Sequence, residues 1–170
     1  ASISLPIIPP RAASKCMLVT MQGQRYINED CYYGRLGEYT LYRQEGRAFL
    51  IFDDATFVRP RYIPDEDPIV GETIEELESE LGLPEGSLQS TLALYNRHAA
   101  KGEDPLFHKR PEWIQPLTEP PFGAIRWHHD NALYAAFTLG GLRTTVDSHV
   151  LTPAGEVIPG LYAAGRASSG

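Results

Sequence analysis

The sequence predicts an α+β fold, a small mixed sheet with helices beside it, followed by a C-terminal segment of glycine-tied strands. Three observations lead there. Arg47 to Asp53 encloses Ala48-Phe49-Leu50-Ile51-Phe52, an unbroken apolar run of strand length, the pattern of a buried strand. Leu77 and Leu81, then Leu88, Leu92, Tyr95 and Ala99, recur at helical spacing between glycine and proline breakers, as two helices with one apolar face each would require. Thr138 to Leu142 and Val157 to Arg166 are apolar runs tied to glycines. Glycine serves where a backbone turns sharply or lets a ligand come within contact distance of its amides.

Taken in order, residues 1–14 carry Pro6, Pro9 and Pro10 among Ile and Leu and read as extended chain, since proline fixes φ and restricts the residue before it. Lys15 to Thr20 is a β-branched apolar run, Gln22-Gly23 a turn and Arg25 to Ile27 a second strand, together a hairpin. Tyr33 to Gln44 places Leu36, Tyr39, Leu41 and Tyr42 near helical spacing before the breaker Glu45-Gly46. Proline and charge make Arg59 to Gly71 a surface loop. Thr73 with Glu76 forms a capping box that opens a helix ending at Gly82, and a second helix runs from Pro84 to Gly102. Glu103 to Pro121 is a long proline-rich loop holding Phe107, Trp113 and Leu117, and loops of that length are lids or packing arms more often than filler. Phe122 to Trp127 and Tyr134 to Leu139 read as strands. The domain boundary falls near Phe137, giving domains at 1–137 and 138–170.

The 170 residues suffice for one domain with a core, or one domain and part of another. Net charge is -7 with a pI near 5.2 and a mean hydropathy of -0.27. An acidic chain without a basic run repels phosphate backbones, so nucleic acid is not an expected partner. No run approaches the roughly 18 apolar residues of a membrane-spanning helix. Two cysteines, Cys16 and Cys31, without CxxC spacing imply reduced thiols in a cytoplasmic setting. His128-His129-Asp130 looks like a metal site, but adjacent strand residues point to opposite faces, and no metal is expected. A GxSxG nucleophile elbow is absent, as is a GxGxxG turn for a pyrophosphate.

Thr138-Leu139-Gly140-Gly141-Leu142, then Ile158-Pro159-Gly160-Leu161-Tyr162-Ala163-Ala164-Gly165, together with Gly23-Gln24-Arg25-Tyr26-Ile27-Asn28-Glu29-Asp30, resemble the fumarate reductase and 3-ketosteroid dehydrogenase family of FAD enzymes. The resemblance covers nearly the whole chain. It implies a substrate-capping domain at 1–137 and C-terminal strands of an incomplete FAD-binding domain at 138–170. The first residue is not Met, and Ser168-Ser169-Gly170 falls inside what reads as a cofactor motif. The expectation is therefore a central and C-terminal portion of a longer flavoprotein, one that by itself neither holds FAD tightly nor turns over.

The resemblance also assigns roles. The place five residues after Asn28 is an arginine acid in fumarate reductases and a tyrosine in Δ1 steroid dehydrogenases; here it is Tyr33. Phe137 stands where fumarate reductases hold a substrate carboxylate with histidine. Both departures disfavour a dicarboxylate and favour an apolar ketone such as a 3-ketosteroid, with dehydrogenation or reduction of the adjacent carbon-carbon bond. The implied catalytic residues are Tyr33 and Tyr134, the substrate contacts Tyr32 and Phe137. The cofactor contacts are Leu139, Gly140, Gly141, Ala164, Gly165, Arg166 and Ser168. Without the resemblance, paired tyrosines beside a glycine read as packing, Gly140-Gly141 as a bulge and Glu75, Glu76, Glu78 and Glu80 as a solvated face. A neutral phenol with an ordinary pKa near 10 can donate a proton at pH 7, or accept one once polarised. The remaining partner implied is the rest of the flavin domain.

Overall fold

The computed structural model describes residues 14–57, 67–128 and 140–168, with Tyr33 and Arg166 given by their backbone. The chain divides into two compact units, Ala1–Tyr134 and Ala135–Gly170.

In the first unit the elements run β1 (Met17–Val19), α1 (Tyr33–Arg43), β2 (Arg47–Asp53), β3 (Ile69–Gly71), α2 (Ile74–Glu80), α3 (Ser87–Ala99) and β4 (Phe122–His128). The sheet order is β1-β2-β4-β3, and every pairing is antiparallel where a mixed sheet was expected. The apolar run of β2 makes it the central strand, with Leu50 opposite Leu18 on one side and Ile125 on the other. Alternation then sends its residues to two cores. Phe49 and Ile51 join Met17, Val19 and Ala124 beneath the buried faces of α2 and α3, including Leu77, Leu88 and Leu92. Ala48, Leu50 and Phe52 join Leu18, Trp127 and Leu36 of α1 in the second core. Phe49, Ile51, Leu77, Leu81, Leu88, Leu92 and Tyr95, the residues whose spacing marks the strand and the two helices in the sequence, all lie in the first of these.

Helix boundaries follow the local chemistry. Thr73 Oγ1 accepts from the Glu76 amide at 3.2 Å to start α2, while Glu76 Oε2 accepts from the Glu72 amide at 2.9 Å. Helix α1 ends as Glu45 and Gly46 turn to φ 54° and 71° and the Gly46 amide reaches Thr40 O at 2.8 Å. Helix α3 has Gly86 at its N-cap and no cap from it. Glu78 takes over that role: it accepts from the amides of Gly86 and Leu88, both at 2.6 Å, and of Gln89 at 3.2 Å. The acidic face expected over α2 is therefore interrupted, because Glu78 is buried.

Two further expectations change. The hairpin over 15–27 reduces to one bridge, Val19 to Arg25, because Arg25 turns into a cluster of charges described below and β1 pairs with β2 instead. Within the expected loop at 59–71, Ile69–Gly71 pairs with β4 as an edge strand. The long loop 103–121 holds only a 3-10 turn at Pro111–Trp113. It is clamped by Asn96, whose side chain exchanges hydrogen bonds with Leu117 N and O at 2.9 and 2.8 Å, and by Asp53 Oδ2, which accepts from the amides of Thr118 and Glu119.

The second unit contains an antiparallel pair, β5 (His149–Leu151) and β6 (Val157–Tyr162), and a 3-10 turn at Gly165–Ala167. Among the described residues no helix is long and apolar enough to cross a membrane. Nor can any group of three or more His, Cys, Asp and Glu among them hold a metal ion.

Candidate functional site

The first candidate element is the motif Gly23 to Asp30 and the start of α1 that it leads into. Arg25 is buried and bidentate to two carboxylates. Its Nε and Nη2 donate to Glu29 at 3.0 and 2.7 Å, and its Nη1 and Nη2 to Asp104 at 2.9 and 3.0 Å. Lys109 Nζ completes the group, 3.0 Å from Glu29 Oε2 and donating to Cys16 O at 2.9 Å. The four side chains are each at most 4% exposed, and their charges sum to zero. The Arg25 guanidinium lies 4.9 Å from the Tyr95 ring centre and 4.7 Å from that of Phe107, a favourable cation–π geometry.

Burial opposes the charge of Arg25, but Glu29 and Asp104 outweigh it and hold the guanidinium more firmly protonated than usual. Burial likewise opposes ionisation of Asp104, and the hydrogen bonds and charge of Arg25 overcome it, so its carboxyl lies below the ordinary range. Cys16, on the other hand, has its thiol pushed up to about 12 by burial, and burial also raises Cys31. Neither is a ready nucleophile; both are free cysteines.

Three consecutive residues of the motif meet three consecutive residues of the long loop. Asn28 Nδ2 donates to His108 O at 3.2 Å, Glu29 pairs with Lys109, and Asp30 Oδ2 accepts from the Arg110 amide at 2.6 Å. Tyr26 Oη and Thr40 Oγ1 share a hydrogen bond of 2.6 Å, joining the motif to the body of α1. The structure thus places Tyr32 at the N-cap of α1, 61% exposed, and Tyr33 as its first residue. Sequence reasoning quoted the motif but gave Arg25, Glu29, Asp104 and Lys109 no role. The i, i+4 pairing of Arg25 with Glu29 was a readable signal, whereas Asp104 and Lys109 lie some eighty positions away.

The second element lies in the other unit. Gly140 and Gly141 are brought beside the turn at Gly165–Ala167. The Leu142 amide donates to Ala167 O at 2.9 Å, Leu142 bridges Ser168 in parallel, and Ser168 Oγ donates to Gly165 O at 2.9 Å. A Cβ on Gly141 would sit 2.6 Å from the Ser168 carbonyl carbon, so this glycine is required by chain packing. A Cβ on Gly140, or on Gly165 at φ +61°, would meet nothing within 4 Å. A side chain at either position would enter open space, and Ala164 is exposed. Of the other expected site residues, Tyr134, Phe137 and Leu139 lie outside the described residues, and Arg166 is placed by its backbone.

Residues 11–170 match the family model described as FAD binding domain, and the chain belongs to that family. The space beside Gly140 and Gly165, where an added Cβ meets nothing within 4 Å, leaves room for a flat group such as FAD. Among solved structures, the chain is 45% identical to the 3-ketosteroid-Δ4-(5α)-dehydrogenase of Rhodococcus jostii RHA1, in complex with 4-androstene-3,17-dione, with a TM-score of 0.77 over 97% of this chain and 35% of that one. It is 26% identical to the 3-ketosteroid Δ1-dehydrogenase of Sterolibacterium denitrificans, with a TM-score of 0.73 over 93% of this chain and 34% of that one. Among curated proteins it is 30% identical to an NADH:acrylate oxidoreductase of Vibrio harveyi over 96% of this chain and 16% of that protein. The relatives include ketosteroid dehydrogenases, reductases of fumarate or acrylate and a vinyl phenol reductase, and the chain spans about a third or less of the length of these curated relatives.

Proposed function

We propose that the chain supplies the substrate-capping domain, at 1–137, and a flavin-contacting segment, at 138–170, of an FAD-dependent oxidoreductase. Its reaction removes hydrogens from adjacent carbons beside the ketone of a 3-ketosteroid. The observation that carries this reading is the 45% identity, over 97% of the chain, to a steroid-bound ketosteroid dehydrogenase. The fall to 26% and 31% against two 1-dehydrogenases favours the C4–C5 bond over C1–C2. Bound FAD would supply the hydride acceptor. Tyr33 would take the proton from the carbon next to the ketone, and Tyr134 would polarise the carbonyl. Tyr32 and Phe137 would line the steroid. The exposed N-cap Tyr32 and the exposed Tyr39 and Tyr42 of α1 support an aromatic surface suited to a rigid apolar ligand. The backbone of Leu139, Gly140, Gly141, Ala164 and Gly165, with Arg166 and Ser168, would face the cofactor.

The test uses a flavoprotein of the relatives' length that contains this chain, supplied with a saturated 5α-3-ketosteroid and a dye as electron acceptor. The 4-ene product is expected, and Tyr33→Phe should lower turnover by roughly 10² to 10⁴, about 3 to 5 kcal/mol of transition-state stabilisation. The rival reading, a reductase of a small unsaturated acid, is favoured by the 30% identity to the acrylate enzyme and disfavoured by uncharged Tyr33 and Phe137 at the places where the resemblance puts cations in fumarate reductases. Reduction of acrylate or fumarate by the same protein with a reduced viologen, and no reaction with the steroid, would establish the rival.

A further inference from the structure

We infer that the buried cluster Arg25–Glu29–Asp104–Lys109 is a positioning device that sets the start of α1, and with it the backbone of Tyr33; this rests on the proposed acid/base role of Tyr33. Helix α1 does not specify its own beginning, since its N-cap residue makes no side-chain capping hydrogen bond and its first turn holds no acidic residue. An uncapped helix start is set by what precedes it. Here that is the turn from Asn28 to Cys31, closed by the Cys31 amide on Asn28 O at 3.3 Å and joined residue for residue to His108, Lys109 and Arg110.

Glu29 is the centre of the device. It accepts from the Leu18 amide at 3.0 Å, and Lys109 reaches Cys16 O from the same side. Strand β1, the turn and the long loop are therefore fixed to one another through a single carboxylate. The loop is itself closed, with the Lys109 amide on Asp104 Oδ2 at 3.2 Å and the His108 amide on Asp104 O at 2.9 Å. Buried ion pairs are a weak source of stability because desolvation offsets their attraction, but a bidentate arginine fork fixes direction as well as distance. Direction matters four residues before a proton-transferring group, where a displacement of about 1 Å costs roughly 10²-fold in rate. None of the four residues is assigned to touch substrate or cofactor; each acts through Tyr33.

Lys109→Met in the flavin-loaded protein removes one corner and leaves Arg25 with both carboxylates. Turnover per bound flavin should fall roughly 10- to 100-fold, while affinity for the 4-ene product, read from the absorbance change it causes in the oxidised flavin, stays within about threefold. Because the loss passes through Tyr33, adding Lys109→Met to Tyr33→Phe should lower turnover little further. Asn28→Ala, which loosens the same register outside the buried charges, provides a second variant should Lys109→Met fail to fold, with a smaller loss of turnover and the same non-additivity. Normal turnover in both variants with a lowered Tm, or losses that add fully to that of Tyr33→Phe, would mean a structural role and overturn the inference. Normal turnover in Tyr33→Phe itself would overturn the acid/base reading and this inference with it, whereas a dead Tyr33→Phe beside a fully active Lys109→Met sinks the positioning role alone.

Discussion

The two units of this chain solve burial differently. In the first, a central strand flanked on both faces by helices places apolar residues in two cores, and four charged side chains are buried as a neutral set. In the second, Val150 is the one buried apolar residue among those described, while Leu142, Val157, Leu161 and Tyr162 are exposed. The first unit contains the interactions that hold it. The second is organised by backbone hydrogen bonds between its glycine segments and presents Leu142, Val157, Leu161 and Tyr162 at its surface. A two-stranded pair of this kind is marginal on its own.

The largest expected effect tests that division. Leu88 is fully buried between the helices and the sheet, so Leu88→Ala should lower stability by about 2 to 5 kcal/mol in urea unfolding of the 170-residue chain. Trp113 and Trp127 both lie in the first unit, so their fluorescence follows that unit alone. Leu161→Ala in the second unit should leave the fluorescence midpoint within about 0.5 kcal/mol of the parent. Equal shifts from the two variants would show that the units unfold as one.

What the sequence made legible follows the same division. Strand β2 and helices α2 and α3 were readable because their apolar periods are long and bounded by glycine or proline, and burial in the first core obeys those periods. The end of α1 was readable from the breaker Glu45-Gly46, but of the residues read at helical spacing only Leu36 is buried, while Tyr39, Leu41 and Tyr42 are exposed. Arg25 to Ile27 alternates like a strand, yet its arginine is drawn to Asp104, 79 positions away, and no local pattern contains that partner. Glu78 looked like its solvated neighbours because its role is set by the uncapped amides of α3. At the site, Gly140 and Gly141 read alike in sequence, and only the packing of Ala167 and Ser168 separates a structural glycine from an open one.

Glu78 gives the next effect in size and carries a pH signature. Burial opposes its ionisation, but the amides of Gly86, Leu88 and Gln89 and the Gln89 side chain outweigh burial and hold its pKa below the ordinary 4.5. A folded value below the unfolded one means stability that is fully present above about pH 4.5 and is lost as pH falls through the lower folded value. At neutral pH, Glu78→Gln should lower the stability of the first unit by about 1 to 2 kcal/mol. The gap between parent and variant should close as unfolding is followed from pH 6 to pH 3 at roughly unit intervals. A gap that stays constant across that range would show that the carboxylate charge is not what caps α3.

The smallest effect on global stability is the most local, and it separates the two adjacent glycines. A methyl group on Gly141 would meet the Ser168 carbonyl carbon at 2.6 Å and Ala167 O at 2.8 Å, both backbone atoms that cannot rotate away. Gly141→Ala must therefore part the 140–142 segment from the turn at Gly165–Ala167 and release the Leu142 amide from Ala167 O. Overpacking of this kind costs about 1 to 3 kcal/mol, so exchange of the Leu142 amide with deuterated water should speed up by roughly 10- to 100-fold. Tryptophan fluorescence should be unchanged, because the disturbance stays in the second unit. Gly140→Ala, with nothing within 4 Å of its added carbon, should alter neither signal in this chain. In the flavin-loaded protein the order should reverse for the cofactor, with Gly140→Ala weakening FAD retention by filling the open side of the backbone. Faster exchange in Gly140→Ala than in Gly141→Ala would exchange the roles assigned to the pair, and unaltered FAD retention in Gly140→Ala would remove that residue from the cofactor contacts.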